Sequence, residues 1–118
     1  MKNLALFLAL FTTLALAQTP PTATLTWTAV TTYVDGTTIP STVAVTYNIY
    51  QGTSATSLTK VATGVTTLTS SISTGLTDNQ TYFWAVTAVA GGIEGGQSNV
   101  GSKTFAAVAP GTVTLTVK

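Results

Sequence analysis

An all-β, two-sheet antiparallel sandwich is the fold this sequence predicts, and three observations predict it. Threonine fills 28 of 118 positions, and β-branched residues at that density suit pleated strands and support helices poorly. Apolar and polar residues alternate through Leu25-Thr26-Trp27, Tyr47-Asn48-Ile49 and Tyr82-Phe83-Trp84-Ala85-Val86, as they do in strands with one buried face. The third observation is Gly75-Leu76-Thr77-Asp78-Asn79-Gln80-Thr81-Tyr82, where a Leu stands six residues before a Tyr at the mouth of an alternating strand. A tyrosine corner has that spacing, with the phenol hydroxyl bonded back to the turn.

The elements follow in order. Met1-Lys2, an apolar run through Leu16 and Ala15-Leu16-Ala17 ahead of Gln18 read as a signal peptide, a helix over residues 1–17 cut after Ala17. It is short for a bilayer, so no membrane span is expected after cleavage, and the product is expected to be secreted or periplasmic. Residues 18–108 are enough for one domain. A strand over 23–29 turns Leu25 and Trp27 inward and Thr24, Thr26 and Thr28 outward. The connection over 30–42 carries Asp35-Gly36 and Ile39-Pro40, both turn signals. Further strands are expected at 43–51, 60–64, 68–74, 81–89 and 99–106. Ile72 lies four residues before Leu76, which breaks the alternation. A one-residue bulge near Thr74-Gly75 restores it; without one, Ile72 faces water. Asp78 is expected to close the turn before Tyr82 through a backbone N–H.

Thr24-Leu25-Thr26-Trp27 resembles the second strand of the fibronectin type III family with its core Trp. Tyr47-Asn48-Ile49-Tyr50 followed by Gln51-Gly52-Thr53-Ser54 resembles its third strand and turn, and Ser98-Asn99-Val100 resembles the start of its last strand. With the Leu76/Tyr82 corner these are four matches in family order, which also places the chain among immunoglobulin-like sandwiches. The resemblance implies a binding or structural role. Small leader-bearing members resemble proteins of Gram-negative bacteria and tailed phages, so cell-surface or virion association and contact with a surface glycan or protein are expected.

The two ends depart from the family. Residues 18–22 leave room for only a stub of the family's first strand, whereas 109–118 (Ala-Pro-Gly-Thr-Val-Thr-Leu-Thr-Val-Lys) resemble that strand opening a next repeat. Filling its own gap in the family direction requires the tail to travel back over a sandwich roughly 25 Å high. Residues 106–110 reach about 17 Å fully extended. The tail is therefore expected either to fold back locally as an extra strand or to enter a neighbouring molecule by strand addition through Val113, Leu115 and Val117. Local pairing is the preferred expectation, because Pro110-Gly111 is a turn signal and a short loop costs little entropy.

With no Cys and no His in the chain, disulfides, thiolate catalysis, Cys-ligated zinc and the Ser-His-Asp arrangement are excluded. After the leader, Lys60, Lys103 and Lys118 balance Asp35, Asp78 and Glu94, so nucleic acid, which requires clustered cations, is an unexpected partner. Asp35 and Glu94 are expected at one pole, where two acids are too few for calcium and lack the cleft a glycosidase needs. No catalytic residue, cofactor or metal is expected, and the protein is read as a non-enzyme. The candidate binding surface is either that pole, with Tyr33, Asp35, Ile93 and Glu94 around the Gly91-Gly92-Ile93-Glu94-Gly95-Gly96 loop, or the sheet face bearing Tyr50 and Phe83. The alternative function is a structural subunit that assembles through its C-terminal strand.

Overall fold

The computed structural model describes residues 20–107 and 109–118; the expected leader, residues 1–17, lies outside them. Seven strands run in chain order, with no helix among the described residues: β1 (Ala23–Thr26), β2 (Val45–Ser54), β3 (Ser57–Val65), β4 (Thr69–Ile72), β5 (Gln80–Ala90), β6 (Ile93–Glu94) and β7 (Gly101–Phe105). No helix of the described residues is long and apolar enough to cross a membrane. β1 pairs with β4 in a two-stranded sheet, and a larger sheet runs β3-β2-β5, with β6 and β7 both pairing along the far edge of β5. Every pairing is antiparallel. The architecture is all-β and sandwich-like.

Alternation explains which side chains meet between the sheets. Tyr47 and Ile49 of β2 and Tyr82 and Trp84 of β5 are buried, as residues two apart on one pleated face must be. Ile49, Tyr82 and Trp84 pack with Ala23 and Phe105, while Leu25, Trp27, Ile72, Leu76 and Val86 close the margin. Trp27 tilts against Tyr47 with ring centroids 5.6 Å apart, and Phe105 meets Tyr82 edge-on at 5.9 Å. The expected corner forms: the Tyr82 hydroxyl accepts from the Thr77 backbone N–H at 3.0 Å. Asn79 holds this turn in the role expected of Asp78. It adopts φ +60°, donates its N–H to the Phe105 carbonyl and accepts from the Ala107 N–H through Oδ1.

The irregularity at Ile72 resolves toward the core. β4 ends at Ile72, and Gly75 takes φ +72°, a left-handed conformation that lets both Ile72 and Leu76 reach the core margin. A second irregularity shapes β3. Tyr47 pairs with Val65 and Ile49 with Ala62, so Asn48 stands opposite both Thr63 and Gly64, as in a bulge with a left-handed glycine. The Asn48 Oδ1 accepts from the Thr63 hydroxyl and the Gly64 N–H at 2.9 and 3.3 Å.

Two segments beyond the long strands are defined by the structure. The segment around Ile93 is a tight hairpin: Ala90 pairs with Ile93 and Val89 with Glu94 across Gly91 and Gly92, both at positive φ. Two left-handed glycines match the twist of paired strands. The preferred fold-back of the tail is absent. Residues 109–118 form no strand and are exposed throughout.

Candidate functional site

Two places gather the residues singled out by sequence. The first is the outer face of the β2/β5 pair. Asn48 and Thr87 are register partners there, and Tyr50 lies two residues further along β2. The β6 hairpin lays the Glu94 carboxylate over all three. Oε2 accepts from Asn48 Nδ2 at 3.0 Å, from the Tyr50 hydroxyl and from the Thr87 hydroxyl, and Oε1 faces Lys60 Nζ at 3.5 Å. The hydrogen bond from Thr87, then those from Tyr50 and Asn48, with Lys60 adding a smaller pull, hold the Glu94 carboxyl down at about 2. The same carboxylate raises the Tyr50 phenol above its ordinary range. Lys60 Nζ also sits 5.7 Å from the Tyr50 ring, within cation–π range.

This cluster is closed on itself. Three donors converge on Oε2 and the carboxyl is held down at about 2, so at neutral pH it has no proton to give. Asp35 is committed as well. Its Oδ1 accepts from the Thr37 hydroxyl and N–H at 2.7 and 3.0 Å, and those bonds lower its carboxyl. They close a small hairpin bridged at Thr32 and Thr38. Tyr33 and Asp35 therefore belong to one turn and Glu94 to a sheet face, and no hydrogen bond joins the two among the described residues. No group of three metal-ligating side chains occurs among those residues either. Tyr50 and Phe83 share a face, since Tyr50 pairs with Ala85 and Phe83 with Gly52, but they form no ring pair. Ile93 projects from its hairpin, 77% exposed.

Compared with known proteins, the chain matches no family model and no curated protein sequence. The site has to be read from its own chemistry.

The second place is the open flank between β1 and β7, which residue-type reasoning did not single out as a binding surface. A cleft of about 860 Å³ runs there, walled by β1 and its flanking residues from Thr22 to Thr28, by Trp84 and Val86 of β5, and by Ser102 and Lys103 of β7. Its backbone chemistry follows from register. The Trp27 N–H donates to the Leu68 carbonyl at 3.0 Å, and Thr26 lies opposite Thr69. Backbone groups alternate sides along an antiparallel strand, so Ala23 and Leu25 bond toward β4 while Thr24 and Thr26 present N–H and C=O to the flank. Thr22 has the same parity, and its carbonyl accepts Lys103 Nζ across the cleft at 3.1 Å. No described strand pairs with this edge of β1.

The side chains of the flank carry an orphan of their own. Trp84 Nε1 donates to Gln51 Oε1 at 2.9 Å, but the Trp27 Nε1–H is buried without an acceptor among the described residues. A buried unpaired donor costs on the order of 1–3 kcal/mol. Trp27 itself is among the residues that line the cleft. The remaining sequence candidates are Val113, Leu115 and Val117 of the tail, which are 91%, 81% and 82% exposed.

Proposed function

We propose that this chain is a fibronectin type III-like, non-enzymatic binding module that engages a protein partner by strand addition along the β1 flank. The observation that carries the reading is the unpaired edge of β1, whose Thr24 and Thr26 backbone groups face a cleft lined by Trp27, Trp84 and Val86. An extended segment placed there gains ladder hydrogen bonds on one side and an apolar floor on the other, the two components of β-augmentation. The Leu76/Tyr82 corner and the pairing of β2 with β5 support the family reading. Engagement of the Tyr50 hydroxyl by Glu94 favours a protein partner over a sugar stacked on that face. A leader ending at Ala17 fits action outside the cytoplasm or on a virion.

The test uses the chain lacking residues 111–118 and a panel of extended peptides that alternate Ile or Leu with Ser. Slower hydrogen exchange at the Thr24 and Thr26 amides, together with a change in Trp27 fluorescence, is expected for at least one peptide. A panel that leaves both amides exchanging at the free rate rejects strand addition at this edge.

A further inference from the structure

We infer that the strand received by the β1 flank is residues 111–118 of a second copy of this chain, so that the protein assembles head to tail. This inference rests on the strand-addition reading of the flank and supplies its partner.

Four features of the molecule argue for this occupant. The tail alternates Thr112, Thr114 and Thr116 with Val113, Leu115 and Val117, so as a strand it has one polar and one apolar face. β1 has the same two faces, with Thr24 and Thr26 exposed and Leu25 and Trp27 half-buried toward the core. A tail strand beside β1 therefore sets its threonines level with those of β1 and its aliphatic residues over Trp84 and Val86. Length agrees as well. Eight residues of strand span about 26 Å, and the β1 side of the cleft from Thr22 to Thr28 spans about 20 Å. The tail pairs with no strand of its own chain and is exposed at every described residue from Ala109 to Lys118.

For pairing antiparallel to β1, topology directs the tail to another molecule. β7 ends at Phe105, which packs in one cluster with Ala23 at the start of β1. To lie antiparallel to β1, the tail of the same chain would have to climb the whole flank before turning back. Residues 106–110 carry the chain from Phe105 to Gly111 in six Cα–Cα steps, about 21 Å at full extension, which only matches the roughly 20 Å between Thr22 and Thr28 and leaves no residue for the reversal. A second molecule meets no such limit. The contact is heterologous, tail of one copy into flank of the next, and such contacts propagate as open chains unless the rotation between copies closes a ring.

The chain has no cysteine, which makes a clean cross-linking test available. Thr26→Cys is combined in turn with Thr112→Cys, Thr114→Cys and Thr116→Cys in the full chain, and the products of mild oxidation are separated without reductant. A ladder of dimer, trimer and higher species is expected from at least one pair and from neither parent single variant beyond dimer. Light scattering is expected to show species larger than the monomer for the unmodified chain and a monomer after deletion of 111–118 or after Leu115→Asp, with circular dichroism unchanged because these residues touch nothing in the monomer. A cross-linked monomer means that the tail fills its own flank and overturns the inference, as does a full chain that stays monomeric. If peptides protect Thr24 and Thr26 while the full chain remains monomeric, strand addition stands and self-assembly falls. If no peptide protects them, both fall.

Discussion

Glu94 shows how an acid that looks free in sequence becomes a fastener. Its neighbours in the chain are glycines and an isoleucine, and nothing local announces Asn48, Tyr50, Thr87 and Lys60, which arrive from three other strands. Only pairing of β6 with β5 brings them together. The carboxyl sits at about 2 in place of an ordinary 4.5, so its contribution to stability is full above pH about 4.5 and is lost as the pH falls toward 2. Glu94→Gln is expected to lower the melting temperature at neutral pH and to flatten its fall between those limits; parallel melting curves for the two proteins would count against this. Asp35 titrates downward in both proteins alike and cancels in the comparison. The exposed Lys60 partner matters less, since solvent screens a surface ion pair. Tyr82 is the contrasting case, because its role was legible from spacing alone. Tyr82→Phe leaves the Thr77 N–H short of an acceptor and is expected to cost about 1–2 kcal/mol in urea unfolding.

At the scale of elements, the long alternating strands were the legible part, and the pieces fixed by backbone conformation were the hidden part. β2 and β5 declared themselves through Tyr47, Ile49, Tyr82 and Trp84, whose period of two admits one inward face. The β6 hairpin did not, because two residues of strand carry no period. Its evidence is the left-handed Gly91-Gly92 pair, which looks the same in sequence as a flexible loop. Two glycines separate conformational from steric demands. Gly92 has φ +78° and open space around its missing Cβ, whereas a Cβ on Gly52 would lie 2.3 Å from the Ser57 carbonyl oxygen. Gly92→Ala is expected to cost about 1 kcal/mol, and Gly52→Ala more, about 1–3 kcal/mol, because backbone has to move. Equal urea midpoints for the two variants would contradict this ranking. The open β1 edge was half legible: the alternation of Thr24, Leu25, Thr26 and Trp27 marked a strand with one inward face, but it could not show that one edge of that strand has no partner among the described strands.

For the whole molecule, charge is the first consideration. Four lysines meet three carboxylates, a net charge of +1, and the flank and tail contribute mainly threonine, valine, leucine and tryptophan. Contacts of that kind are driven by burial and backbone pairing, with little long-range steering. Assembly is therefore expected to be nearly indifferent to moderate changes in sodium chloride, and light scattering that collapses to the monomer as salt is raised would point to a different interface. The bond from Lys103 to the Thr22 carbonyl has a consequence in time. It straps the flank at one end and leaves the Thr28 end open, so an arriving strand docks first beside Thr28 and zips toward Thr22, displacing the ammonium group last. Lys103 is then a brake on the rate of joining, and its removal should hasten the event while leaving the joined state almost as it was.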